Sequence, residues 1–195
     1  MPRVISGKYR GTQLETLQGD LTRPTTDKVK EALFSIIQNK IPDAIFLDLF
    51  SGSGQIGIEA ISRGAAEAFL VEQNPKAISV MRANIEKTRI ISGISVIKTD
   101  VFRALTDLSV AGKKFDIIFM DPPYAEAVAY VRRVAKLISE YELLNKDGIF
   151  VCEHSSCDNT DENVMNLTFR RRCKYGTTML TFYNRYNDSE GIHSK

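Results

Sequence analysis

The chain has 195 residues, 43% hydrophobic and 26% charged, with 26 basic side chains against 24 acidic ones. That length supports one sizeable core with a small appendage and is cramped for two full domains. No run approaches the roughly 20 apolar residues of a membrane span, and the first residues carry no signal-peptide core. The three cysteines, Cys152, Cys157 and Cys173, lack Cys-x-x-Cys spacing, which argues against a disulfide framework and a structural zinc site; reduced thiols, a cytoplasmic location and no membrane partner are expected.

In chain order, residues 4–17 carry turn signals at Gly7 and Gly11 between short β-type runs. They predict a β-hairpin outside the main sheet, so that 1–22 form an N-terminal extension expected to touch nucleic acid. Thr25, Thr26 and Asp27 are candidate helix caps, and Val29, Ala32, Leu33, Ile36 and Ile37 then recur on one helical face. From 23 to 186 a single α/β domain is expected. Strands are predicted at 44–49, 68–72, 95–99, 115–120 and 149–153, the last after an Asp147-Gly148 turn. Helices are predicted at 56–63, 75–87 and 128–139, with a less regular helical stretch at 102–108. Alternation of strand and helix implies a Rossmann-like, mostly parallel sheet with helices on both faces. The runs at 167–173 and 178–183 break the alternation and predict a C-terminal antiparallel hairpin, giving seven strands; 187–195 is polar and reads as a flexible tail.

Two strand ends carry the chemistry. After the apolar strand ending at Leu49 comes Phe50-Ser51-Gly52-Ser53-Gly54-Gln55-Ile56-Gly57, a glycine turn opening a helix. Gly52 and Gly54 let a ligand approach the main chain, and Glu72 follows at the offset of a carboxylate that holds a ribose, with Gln73 beside it. NAD enzymes share this pattern. Asp48, placed before the glycines, suits the cationic amino-acid end of S-adenosylmethionine and would repel a pyrophosphate. The second end is Asp121-Pro122-Pro123-Tyr124, after the all-apolar 117–120. The prolines fix φ and supply no N–H, so their carbonyls stay free to accept. Asp121 adds a charged acceptor and Tyr124 a stacking face, which together form a clamp for a planar amino group. His154, alone at a strand end, reads as a hydrogen-bonded structural residue.

The charges are unevenly placed. Arg3, Lys8, Arg10, Arg23, Lys28 and Lys30 outnumber the acids of 1–30, and Arg170-Arg171-Arg172 with Lys174 forms a second basic cluster. Both can be solvated faces, or a rim for phosphates.

With these segments in view, the chain resembles the RsmD family of class I methyltransferases, which methylate N2 of a guanine in 16S ribosomal RNA. The matching segments are residues 3–11, 23–34, 47–54 and 121–124, with Ser51 where an alanine often stands. The resemblance implies S-adenosylmethionine as donor and S-adenosylhomocysteine as product, with no metal. It implies that Asp48, Phe50, Ser51, Gly52, Gly54, Glu72, Gln73, Asp100 and Val101 hold the donor, while Asp121, Pro122, Pro123 and Tyr124 present the acceptor. Arg3, Lys8, Arg10, Arg23, Thr25, Lys28 and Arg171 would contact RNA. The partner would be 16S rRNA, either naked or within a small ribosomal subunit or assembly intermediate, and the enzyme a monomer. A DNA adenine-N6 or cytosine-N4 methyltransferase using the same clamp is the alternative; an NAD-dependent oxidoreductase and a non-catalytic RNA-binding module stand further off.

Overall fold

The apolar runs become five parallel strands: β1 (Ile45–Leu49), β2 (Glu67–Glu72), β3 (Ile94–Lys98), β4 (Phe115–Met120) and β5 (Leu144–Ser155). The structure, a computed structural model, describes residues 2–17, 26–123, 127–158, 160 and 163–185. The expected tail at 187–195 lies outside the described residues. After β5 come a two-residue strand, β6 (Asn163–Val164), then β7 (Leu167–Tyr175) and β8 (Thr178–Arg185). Strand β8 inserts between β5 and β7 and runs antiparallel to both, giving the order β3-β2-β1-β4-β5-β8-β7-β6. The seven predicted strands are therefore present with a short eighth at the edge.

Period-two alternation divides the apolar side chains between two faces. Phe46, Leu70, Ile117, Phe119, Val151 and Phe182 face α1 (Asp27–Ile37), α2 (Gln55–Ser62) and α3 (Pro75–Thr88). Leu47, Leu49, Val71, Ile118, Phe150 and Tyr183 face α4 (Val101–Val110) and α5 (Ala127–Glu140). Thr26 caps α1, its side chain accepting from the Val29 N–H. Among the described residues no helix is long and apolar enough to cross a membrane.

Within the main sheet and its helices, two elements differ from the sequence reading. Helix α4 is regular from Val101, because the Asp100 carboxylate accepts the Phe102 and Arg103 N–H groups at 3.0 and 3.1 Å and so caps its first turn. Strand β5 begins at Leu144, and the Asp147-Gly148 turn lies inside it as an irregularity. Phe115 pairs with Leu144 whereas Ile117 pairs with Ile149.

The N-terminal segment folds back through one antiparallel bridge, Arg3 with Gln13, in place of two full strands. Four of its backbone N–H groups, those of Ile5, Ser6, Lys8 and Tyr9, donate to α2 beneath. Ile5 and Ser6 N–H donate to the two carboxylate oxygens of Glu59 at 2.8 and 3.0 Å, and Lys8 N–H donates to the Ser62 carbonyl at 2.7 Å. Gly7 has φ +84°, and a Cβ there would lie 1.7 Å from the Ser62 carbonyl oxygen, so no larger residue fits so close to α2. Val4 and Leu14 pack on Ile58 and Ile90 beneath the fold-back. Further along, the buried Asn84 side chain accepts from Glu15 N–H (2.7 Å) and donates to the carbonyls of Glu15 (3.0 Å) and Ser53 (2.9 Å).

Candidate active site

Strands β1 and β4 end side by side, with Leu49 paired to Met120, so the glycine turn and the proline turn leave the sheet as neighbours. In the first turn Phe50, Gly52 and Gly54 all have left-handed backbones, with φ of +63°, +54° and +78°. The glycines serve different ends. A Cβ at Gly54 would meet Met81 Cγ at 2.7 Å, and one at Gly57 would meet Leu70 Cδ1 at 2.6 Å, so both permit close packing of α2. A Cβ at Gly52 would meet nothing within 4 Å, which leaves room for a ligand against the main chain. Phe50 is a bulky residue in a conformation that costs about 1–3 kcal/mol, and the ring of Tyr130 holds it edge-on at 5.1 Å. Ser51 closes the turn. Its hydroxyl donates to the Asp48 carbonyl at 2.6 Å and its N–H to the Val71 carbonyl at 2.9 Å.

Three carboxylates surround this turn. Asp48 is buried and accepts from the Gly57 N–H at 3.1 Å. Burial pushes its pKa well above the usual carboxylate range; the Gly57 hydrogen bond opposes that shift, while the charges of Asp121 and then Glu72 add to it. Glu72, at the end of β2, accepts from Gly52 N–H (2.9 Å) through one oxygen and from Gln73 and Asn74 N–H (2.9 and 2.8 Å) through the other. Asp121 is half-buried between buried Met120 and buried Pro122, with Pro123 exposed. Its charge is close enough to act on Asp48. Such a convergence is costly for an empty protein and favourable around a cation.

Asp48→Asn probes the cost of that convergence. With its pKa raised on folding, Asp48 retains a proton in the native state at pH values where the unfolded chain has lost it. Its contribution to stability therefore falls as pH rises from about 3.9 through the raised native pKa. The asparagine variant should be at least as stable as the wild type at pH 7 to 8 without ligand, and it should lose the share of the pH dependence that Asp48 contributes. Its affinity for a cationic donor should fall; melting curves between pH 4 and 8 and titration calorimetry read the two effects separately.

Beside the turn lies a cleft of about 340 Å³ counted out to its open mouth. It is lined by Phe50, Val71, Glu72, Gln73, Thr99, Asp100, Val101, Phe102 and Tyr130. Five predicted residues, Phe50, Glu72, Gln73, Asp100 and Val101, thus meet in one place. Asp48, Ser51 and Gly54 lie under the turn and shape it. Phe102 and Tyr130 also line the cleft, and sequence reasoning misses them. Their rings are parallel to within 2° at 5.6 Å, and the Arg133 guanidinium lies 3.6 Å from the centre of Phe102. They come from two helices 28 positions apart, so no local pattern announces the pair. Flat aromatic rings and carboxylates lining one cleft suit a nucleoside.

The basic residues are more dispersed than their place in the sequence suggests. Arg3, Lys8, Arg10, Lys28 and Arg171 are exposed. Arg3 is 3.9 Å from Asp27, Lys8 lies over the Tyr9 ring and Arg171 over Phe182. The turn bearing Lys8 and Arg10 is fastened to Ser62 at the C-terminal end of α2, whereas the glycine turn precedes its N-terminus. Eight helical residues separate them, roughly 12 Å. The structure does not bring these two residues to the cleft. Arg172 is tied to the Thr160 carbonyl. Arg23, Thr25 and Tyr124 lie outside the described residues. His154 is buried, with Nε2 2.8 Å from the Thr181 hydroxyl and Nδ1 2.9 Å from the Ser155 carbonyl. Burial lowers its pKa, as befits a neutral structural imidazole. Cys152 is buried and its thiol is pushed up to about 12 by burial, Cys173 is half-buried, and Cys157 is exposed.

Comparison with known proteins agrees with this arrangement. The family described as "Conserved hypothetical protein 95" matches residues 2–184. A Bacillus subtilis (strain 168) protein named "Putative rRNA methyltransferase YlbH" is 38% identical over 183 residues, covering 94% of this chain and 98% of its own. The "Ribosomal RNA small subunit methyltransferase D" of Buchnera aphidicola subsp. Baizongia pistaciae (strain Bp) is 36% identical over 152 residues, 76% of this chain and 74% of its own. Among solved structures, the Thermus thermophilus hypothetical protein TTHA0928 superposes with a TM-score of 0.81 at 30% identity, covering 94% of this chain and 99% of that one. Sheet order, glycine turn, proline turn and these end-to-end matches converge: the chain belongs to the RsmD family of class I S-adenosylmethionine-dependent methyltransferases.

Proposed function

We propose that this protein methylates the exocyclic N2 of a guanine in 16S ribosomal RNA, using S-adenosylmethionine. The observation that carries the reading is the Asp121-Pro122-Pro123 turn set beside the glycine turn, with Asp121 near enough to act on the Asp48 charge. The residues present fit the donor: open space at Gly52, carboxylates for its positive charge, and aromatic rings with Asp100 for its nucleoside. When bound, S-adenosylmethionine supplies an electrophilic methyl group and departs as S-adenosylhomocysteine. The oxidoreductase reading is disfavoured by Asp48, whose carboxylate lies beneath the turn where a pyrophosphate would stand.

The chain's own residues have the harder task, because the guanine amine is a weak nucleophile whose lone pair is spread into the ring. Asp121 and the Pro122 carbonyl accept its two N–H bonds, which favours a pyramidal nitrogen and aims its lone pair at the methyl group. As the N–C bond forms, Asp121 is placed to take the proton released. Pro123 holds the turn stiff, and Tyr124, next in sequence, offers its ring to the extruded base. Arg3, Lys8, Arg10, Arg23, Thr25, Lys28 and Arg171 supply contacts to the RNA, Lys8 and Arg10 among them at a distance from the cleft.

The test is a methylation assay on small ribosomal subunits, and on their naked RNA, from cells lacking this protein. Digestion to nucleosides and mass spectrometry should find N2-methylguanosine in 16S rRNA only after incubation with the enzyme and donor. Methylated adenosine or cytidine, or no product on either substrate, would overturn the reading.

A further inference from the structure

A second concavity lies outside the donor cleft, along the free edge of the sheet. Strand β3 is terminal in the strand order, and α3 runs beside it. Pro75, Ile78, Ser79 and Arg82 recur at spacings of three and four, so they form one stripe along α3. Ile94 and Val96 pack into the core on the α3 side of the sheet, and alternation puts Lys98 on that side too. The stripe and Lys98 enclose a groove of about 550 Å³, again counted out to its open mouth. Its floor is the buried Ile78; Arg82, Lys98 and Ser79 are exposed around it.

The two cations have no ion pair among the described residues. Two nearby carboxylates are engaged elsewhere, and a third, Glu86 one turn along α3, makes no ion pair with Arg82: Glu72, whose backbone pairs with Lys98, accepts three backbone N–H groups, and Asp100 caps α4. A groove with two uncommitted cations, a hydroxyl donor and an apolar floor matches one chemistry well, a phosphodiester with its sugar lying on the floor. Its position adds to the match. Three strand spacings separate β3 from β4, roughly 14 Å, which is a few nucleotides from a base held at Asp121.

We propose that the groove formed by Arg82, Lys98 and Ser79 binds a backbone phosphate of the substrate RNA, a few nucleotides from the base methylated. This rests on the reading of RNA as substrate and adds a contact on the opposite side of the donor cleft from the proline turn. It gives the RNA two fixed points, one at the acceptor turn and one past the donor site, so that strand direction across the cleft is set.

The experiment compares the wild type with the double variant Arg82→Gln and Lys98→Gln, and with the charge-preserving pair Arg82→Lys and Lys98→Arg. Filter binding of 16S rRNA between 50 and 200 mM KCl should show a salt dependence for the glutamine variant shallower by about 0.7, the share of one phosphate. Its affinity at 150 mM should be about tenfold weaker. The charge-preserving pair should restore most of the slope, and S-adenosylhomocysteine affinity and melting temperature should be unchanged throughout. An unaltered slope in the glutamine variant would overturn the groove, as would a parallel loss of S-adenosylhomocysteine binding. If the wild type itself binds S-adenosylhomocysteine but neither 16S rRNA nor small ribosomal subunits, the substrate reading falls and the groove assignment falls with it.

Discussion

Asp121→Ala should lower kcat by about 10²–10⁴-fold, the span of a positioned acid–base group, while donor affinity stays near that of the wild type. Asp121 stands just past β4, outside the walls of the donor cleft. Truncation therefore removes the group proposed to accept from the amine and leaves Phe50, Glu72, Asp100 and Tyr130 in place. Removing one of three converging negative charges also relieves Asp48, whose pKa should move back toward its ordinary range. Single-turnover kinetics on subunits, with calorimetry for S-adenosylhomocysteine, separate chemistry from binding. Turnover within tenfold of the wild type would sink the role given to Asp121. Asp121→Asn divides that role further, since an amide oxygen still orients the amine but cannot take its proton.

The largest loss of stability is expected far from the chemistry, at Glu59. This fully buried carboxylate accepts from Ile5 N–H (2.8 Å), Ser6 N–H (3.0 Å) and Arg63 Nε (2.7 Å). Lys30, also fully buried, donates to the Arg3 carbonyl at 2.6 Å and lies 3.7 Å from Asp27; burial lowers its pKa, and the Glu59 charge is the largest influence holding it up. Glu59→Ala removes the anion and leaves two amides, a guanidinium and an ammonium under-compensated. Breaking a buried charge group in this way costs about 3–5 kcal/mol, or roughly 10 °C in melting temperature for a chain of this size. Circular dichroism gives the melting point, and brief trypsin treatment reports whether Arg3, Lys8 and Arg10 become cleavable. A variant that melts within about 2 °C of the wild type, less than 1 kcal/mol for a chain of this size, with its first residues still protected would show that Glu59 does not hold the segment.

Much of the architecture is legible in the sequence, for physical reasons that can be named. Strands buried on both faces, such as 117–120, read as unbroken apolar runs, and a glycine turn between strand and helix leaves few alternatives. Period and turn chemistry thus agree, which makes the sheet and both site turns readable. What depends on contacts between distant segments is not. Phe102 and Tyr130 become a wall only when α4 and α5 are laid side by side. Glu59 and Lys30 look like surface charges, and only the docking of the first residues shows why they are buried. Closeness in the chain groups Lys8 and Arg10 with Arg23 and Lys28; the length of α2 places the first two at its far end. Asp100 shows one residue serving two ends, capping a helix while lining the cleft.

The grip of Asn84 on Glu15 and Ser53 has a bearing on how the molecule is made. The anchors Glu59, Ser62 and Asn84 each lie more than fifty residues downstream of the groups they hold in the N-terminal segment. On the ribosome the first part of the chain to emerge therefore cannot take its seat until α2 and α3 have been made and have packed against the growing sheet. Once seated, it shares Asn84 with the Ser53 carbonyl, so the glycine turn and the N-terminal segment are held by one side chain of α3.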